Sequence, residues 1–254
     1  MKVLLTRPRA QADDFADKLR AAGFEPILFP VIEIRPVEDN TALKRAIEHL
    51  EKYAWVVFTS VNAVDVVFSH PHPLPLSLWE RSAEGGVRVA AIGPKTAVTL
   101  RQHGIEPDFV PEEYVAEAIL PGLGDVRGKW ILLPRAEIAR ADLPEAIAKA
   151  GGIPHEIIVY RTLPAAVDPD GLNALKSGVD VVTFTSASTV ENFAALCKQH
   201  RLNLLRLPNN PLFACIGPVT EQAAREAGFE NVVVAKEYTT DGLVSLLVAS
   251  QIVK

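Results

Sequence analysis

The sequence is poor in the residues from which several kinds of function are built. Its 254 residues include only two cysteines, Cys197 and Cys215, with no C-x-x-C pair and no zinc spacing. That excludes a disulfide framework or a thiolate metal site, and both read as buried thiols. No apolar run approaches the ~20 residues needed to cross a bilayer. Met1-Lys2 passes directly into a short strand, without the pattern of a leader, so the chain is expected in the cytoplasm. Positive charge is not in excess either. Lys and Arg number 26 against 31 Asp and Glu, a formal net charge of −5, so no global field favours nucleic acid or an anionic membrane. Any anionic ligand must be held locally.

Motifs that carry chemistry are equally scarce. No Gly-x-Gly-x-x-Gly follows a strand. Gly93-Pro94-Lys95-Thr96 lacks the first glycine of a phosphate-binding P-loop and has Pro94 between its glycine and lysine. No nucleotide or dinucleotide cofactor is expected. The histidines, His49, His70, His72, His103, His155 and His200, offer no metal spacing beyond His70-Pro71-His72, so they read as surface groups and no metal is expected. No Ser/His/Asp set or nucleophile elbow is visible.

Hydrophobic residues, by contrast, make up 48% of the chain, enough for two cores at this length, and one pattern occurs twice. Trp55-Val56-Val57-Phe58-Thr59-Ser60-Val61-Asn62 is matched by Val181-Val182-Thr183-Phe184-Thr185-Ser186-Ala187-Ser188. Each is a buried strand run followed at once by residues that cap helices. Downstream, Ala91-Ile92-Gly93-Pro94 is matched by Cys215-Ile216-Gly217-Pro218. A further similarity breaks the order: Trp130-Ile131-Leu132-Leu133-Pro134-Arg135, after the first set, resembles Lys2-Val3-Leu4-Leu5-Thr6-Arg7 at the start of the chain. This implies a duplicated α/β domain whose second copy wraps around the first.

The domains are expected at 1–34 plus 163–254 and at 37–158, with hinge strands near 29–36 and 155–162. Strand and helix alternate throughout, so each sheet is expected to be parallel with helices on both faces. A short strand is expected near Phe109. Residues 69–86, rich in proline and glycine, read as an exposed loop without chemistry.

In open parallel sheets, ligands sit beyond the carboxyl ends of strands, where helix N-termini offer free N–H groups. The duplicated turns lie there, with Arg7 and Arg135 nearby. Taken singly, each turn reads equally as an ordinary helix cap. Together, around an expected two-domain cleft, they point to a polycarboxylate or phosphate ligand. Tyr160, in Ile158-Val159-Tyr160-Arg161-Thr162 on the expected hinge, either faces that cleft or bonds its hydroxyl to backbone.

Over nearly its whole length the chain resembles the uroporphyrinogen-III synthase family. The resemblance rests on the opening Val3-Leu4-Leu5-Thr6-Arg7-Pro8, both Phe-Thr-Ser strands, both Ile-Gly-Pro turns and their permuted order around Val159-Tyr160-Arg161-Thr162. It implies two flavodoxin-like parallel-sheet domains joined by a two-stranded hinge, with the substrate between them. It also implies a lyase that acts without metal or organic cofactor. Such an enzyme removes water from the linear tetrapyrrole hydroxymethylbilane and closes it to uroporphyrinogen III, inverting the last ring, in heme biosynthesis. By the same resemblance Tyr160 assists as proton donor to the leaving hydroxyl. Free phenols are weak acids near pKa ~10, so assistance rather than absolute need is implied. Ser60, Asn62, Thr96, Ser186, Ser188 and Thr220 correspond to polar positions lining the cleft, and Arg7 is added on position alone.

The expected protein is a monomer, in transient contact with the enzyme that makes hydroxymethylbilane. Two other readings remain open: a non-catalytic two-domain binding protein for a polyanionic small molecule, and a different α/β enzyme acting on phosphorylated small molecules.

Overall fold

The computed structural model describes residues 1–68, 79, 87–112 and 116–251. The chain begins with β1 (Lys2–Leu5), α1 (Asp13–Ala21), β2 (Glu25–Leu28), β3 (Ile32–Pro36), α2 (Thr41–Glu48), β4 (Tyr53–Phe58) and α3 (Val61–Phe68). There follow β5 (Arg88–Ala91), α4 (Pro94–Gln102), α5 (Ala116–Leu123), β6 (Trp130–Ala136), α6 (Asp142–Lys149) and β7 (Ile153–Pro164). The last third adds α7 (Pro169–Ser177), β8 (Val181–Phe184), α8 (Ala187–Gln199), β9 (Leu212–Cys215), α9 (Pro218–Glu226), β10 (Val232–Val234) and α10 (Thr240–Gln251). Two compact units result. Unit 1 is Met1–Glu33 with Leu163–Lys254, and unit 2 is Ile34–Thr162.

The sheet of unit 1 has the order β10-β9-β8-β1-β2, and its neighbouring strands pair in parallel. Numbered within the unit, this is the doubly wound order 2-1-3-4-5. Because side chains alternate across a strand, Val3 and Leu5 join Phe15, Leu19, Leu243 and Leu247 on one face, while Leu4 joins Phe184, Phe193 and Phe213 on the other. Helices cover both faces, so these strands carry continuous apolar runs rather than alternating ones. The polar exceptions satisfy one another. Thr6 Oγ1 donates to the Thr183 carbonyl at 2.6 Å, and Thr183 Oγ1 donates to the Leu4 carbonyl at 3.1 Å.

Phe184 is the centre of an aromatic group, with ring centroids 5.4 Å from Phe193, 5.6 Å from Phe229 and 6.0 Å from Phe213. Its side chain is fully buried. Phe184→Ala is therefore expected to cost unit 1 about 3–5 kcal/mol of stability, the range for emptying such a site. Urea unfolding followed by far-UV circular dichroism checks this. Tryptophan emission is the wrong probe, because Trp55, Trp79 and Trp130 all belong to unit 2.

The sheet of unit 2 has the order β3-β7-β6-β4-β5, in which β7, β6, β4 and β5 pair in parallel. The expectation of a wholly parallel sheet fails at its edge: the Val37 N–H donates to the Val159 carbonyl and the Ala165 N–H to the Val31 carbonyl, so β3 runs antiparallel to β7. If β6 and β7 take the parts of β1 and β2, the unit-1 order returns in permuted form, with β3 added outside β7. One core face gathers Val56, Phe58, Val89, Leu132, Val159 and Tyr160, and the other Trp55, Val57, Ile131 and Leu133. The short strand expected near Phe109 is reduced to an isolated bridge with Ala90. Pro107 and Pro111 flank it and remove the donors a longer ladder would need.

Most of the expected exposed loop at 69–86 lies outside the described residues. Its Trp79 does not fit that expectation. It is buried in the unit-2 core, with its ring 4.9 Å from Phe68 and 6.3 Å from Phe58.

The histidines also depart from a purely surface role. His155 stacks on Tyr53 at 5.8 Å and hydrogen-bonds its hydroxyl at 2.6 Å, and His103 stacks on Phe68 at 5.2 Å. His200 buries Nε2 without a partner among the described residues. Ring stacking onto neighbouring aromatics draws the first two inward. His70 and His72 lie outside the described residues.

Cys197 and Cys215 are both free and buried. Burial pushes both thiols up to about 12, with Glu221 adding to the effect at Cys215. The thiolate is the reactive form, so neither cysteine is expected to react with Ellman's reagent at pH 8 in native protein, whereas both react in urea. The sign of the linkage follows. The stability these groups contribute is complete below the free-thiol value of 9.0 and falls as the pH climbs towards about 12.

Candidate active site

Each unit assembles polar groups at the carboxyl ends of its parallel strands. In unit 1, Leu5 is level with Thr183, and Phe184 with Cys215, so the segments after β1, β8 and β9 leave the sheet at one end. Those segments supply Arg7, Ser186 and the Gly217-Pro218 turn.

Ser186 is extended and caps α8, which the run of hydroxyl residues after β8 favours. Its Oγ accepts from the Thr189 N–H at 3.3 Å, while Thr189 Oγ1 accepts from the Ser186 N–H at 3.3 Å, a reciprocal capping box. Ser188 Oγ lies 2.9 Å from Ser186 Oγ. Thr220 is buried at the third position of α9, behind Pro218 at the first.

Arg7 is half-buried, and its Nε is fully buried with no acceptor among the described residues. Burial lowers the pKa of its guanidinium from the ordinary value, against the opposing pull of Asp14. Asp14, on α1, has no local sequence signal that singles it out. A buried cationic donor without an acceptor is costly unless an anion completes it.

The corresponding arginine of unit 2 is in a different state. Arg135 is buried, with Nη1 donating to the Glu156 carboxylate and Nη2 to the Arg140 carbonyl. The sequence placed Arg7 and Arg135 alike near the turns, but Glu156, across the β6–β7 ladder, engages the second.

In unit 2 the turn after β4 brings Ser60 to Tyr160. The two side-chain oxygens are 3.1 Å apart, and Ser60 Oγ also accepts from the Ala63 N–H at 3.1 Å. The Tyr160 hydroxyl thus meets a side chain rather than backbone. Its position follows from a register shift. Arg135 of β6 pairs with Ile158, but the next residue, Ala136, pairs with Tyr160, so Val159 is skipped. The extra residue breaks the inside–outside alternation. Val159 and Tyr160 are consequently both buried in one cluster, while Ile158 is 44% exposed.

The Tyr160 backbone is held as well, its carbonyl accepting from the Glu137 N–H at 3.0 Å. Asn62 lies half-buried in the first turn of α3, and Thr96 is buried at the third position of α4, behind Pro94. Among the described residues, no group of three or more His, Cys, Asp or Glu side chains could hold a metal ion, and no helix is long and apolar enough to cross a membrane.

Two mostly parallel sheets of related order, one chain-permuted relative to the other, with hydroxyl-bearing turns at their strand ends, define a narrow class of two-unit α/β proteins. A family model described as uroporphyrinogen-III synthase HemD matches residues 13–245. The chain is 32% identical over 247 residues to the uroporphyrinogen-III synthase of Synechococcus elongatus, covering 95% of this chain and 92% of that one. It is 31% identical over 261 residues to a putative uroporphyrinogen-III synthase of Methanothermobacter thermautotrophicus, covering 97% of each. Its fold is similar to the crystal structure of uroporphyrinogen-III synthetase from Helicobacter pylori, with a TM-score of 0.67 at 19% identity over 98% of this chain and 99% of that one. The chain belongs to the uroporphyrinogen-III synthase family.

Proposed function

We infer that this chain is a uroporphyrinogen-III synthase, a lyase that dehydrates and closes hydroxymethylbilane to uroporphyrinogen III. The family match across residues 13–245 carries this reading. The hydroxyl of Tyr160 beside Ser60 gives it a chemical basis.

The reaction begins as the bond between the hydroxymethyl carbon and its oxygen breaks. The departing hydroxyl takes a proton from the Tyr160 phenol and leaves as water, while the electron pair of the adjoining pyrrole forms an azafulvene. The substituted carbon of the last ring attacks it. The resulting spiro intermediate fragments and recloses with that ring inverted. A proton lost on rearomatisation restores the phenol. The substrate supplies its own reactive carbons, so the protein contributes positioning and proton transfer.

The carboxylates of the substrate would be held at each unit's strand ends. Arg7, Ser186, Ser188 and Thr220 are the groups in unit 1, and Asn62 and Thr96 those in unit 2. The reading takes the protein as a cytoplasmic monomer that meets the hydroxymethylbilane-producing enzyme transiently.

The test is product-isomer analysis. Hydroxymethylbilane is generated in situ, the protein is added, the mixture is oxidised and the uroporphyrin isomers are separated. Isomer III in proportion to added protein is the expected result. Isomer I alone, the uncatalysed product, would return the chain to the competing reading of a polyanion-binding protein.

A further inference from the structure

Ser60 touches both a helix N-terminus and the phenol of Tyr160. A serine hydroxyl has one proton and two acceptor lone pairs. One lone pair is taken by the Ala63 N–H in the first turn of α3. In the 3.1 Å contact with Tyr160, only one of the two hydroxyls donates. If Tyr160 donates, its proton is committed to Ser60 and does not reach a leaving group. If Ser60 donates, the phenolic proton is free to turn elsewhere. Two features favour the second arrangement. The amides at the start of α3 carry partial positive charge, and an N–H bond accepted by Ser60 polarises its hydroxyl into a stronger donor.

We propose that Ser60 is a positioning residue for ring closure, donating its proton to the Tyr160 oxygen and thereby directing the Tyr160 proton to the departing hydroxyl. The proposal rests on the synthase reading above. It runs from the Ala63 N–H to Ser60 Oγ, from the Ser60 O–H to the Tyr160 oxygen, and from the Tyr160 O–H to the substrate. When the carbon–oxygen bond breaks and water leaves, the phenolate that remains keeps the Ser60 hydrogen bond, which strengthens as its acceptor gains charge. This role replaces carboxylate binding at Ser60, because a hydroxyl whose single proton lies on Tyr160 has none to offer a carboxylate.

A double-mutant cycle on the formation of isomer III tests this. Ser60→Ala is expected to lower kcat about 10- to 100-fold, the loss expected for a hydrogen bond to a charged group, with KM unchanged within about twofold. In the Tyr160→Phe background the same substitution is expected to have no further effect, since the group it acts through is gone. Ser60→Thr, which keeps the hydroxyl, is expected to restore most of the rate. Ser60→Gly, nearly as good a helix cap but without a hydroxyl, is expected to match Ser60→Ala, which separates the relay from the cap.

Equal losses in both backgrounds, or a loss confined to KM, would overturn the proposal and leave the synthase reading standing. A Ser60→Gly variant with wild-type kcat would do the same. A wild-type protein that makes no isomer III overturns the synthase reading itself, and the relay with it.

Discussion

Tyr160→Phe is expected to slow isomer-III formation by about 100-fold, the lower end of the range for losing a positioned general acid. The substitution removes one oxygen and leaves a ring that still fills the cluster with Phe58, Val89 and Val159. The α3 cap survives, since Ser60 continues to accept from Ala63. Thermal stability is therefore expected to change little, and the loss to fall on kcat. The low end of the range is chosen because phenols are weak acids as a class, near pKa ~10, and the substrate is already prone to lose water. Stopped-time assays with chromatographic separation of the oxidised isomers measure the effect. A rate within about threefold of wild type would remove Tyr160 from the proton-transfer step.

Arg7→Met is expected to move affinity and stability in opposite directions. The guanidinium Nε is buried without an acceptor, and burial lowers the Arg7 pKa. Removing the charge relieves that cost, so the free protein is expected to gain about 1 kcal/mol, the low end for an unsatisfied buried donor. Methionine retains much of the aliphatic stem. If the accessible part of the guanidinium meets a substrate carboxylate, its loss removes a charge-assisted hydrogen bond of about 1.5–3 kcal/mol, or roughly 10- to 100-fold in KM. Chemical denaturation and steady-state kinetics on one preparation read both signs. A variant destabilised with unchanged KM would make Arg7 a structural residue.

The fold class could be read from local signals. Val181-Val182-Thr183-Phe184 followed by Thr185-Ser186 is a buried strand and a helix cap within six residues, and its copy at Trp55 to Ser60 repeats the same two instructions. The parallel strands and their helical covers follow from such units, as the strand orders bear out, whereas the antiparallel edge strand β3 does not. Signals that join distant residues were not legible. Arg7 and Arg135 have similar neighbours in sequence, yet Glu156 occupies one and leaves the other. The register shift that buries Val159 and Tyr160 together depends on the β6–β7 ladder. Trp79 sits in a segment with the composition of a solvent loop, and its packing against Phe58 and Phe68 joins it to residues that no local pattern links to it. Ser60 was legible as a cap, but its second contact was not.

The permuted strand order has a consequence for the nascent chain. An interior strand of unit 1, β1, bonds to β8, and Thr183, which donates to the Leu4 carbonyl, lies 179 residues further along. Every strand of unit 2 leaves the ribosome in that interval. The inserted unit can finish folding while its host consists of two strands and one helix, since domains fold as units during synthesis. Val3, Leu4 and Leu5, all fully buried in the finished protein, must therefore wait out the synthesis of the insert without their main partner. The residues translated first are among the last to reach their final neighbours.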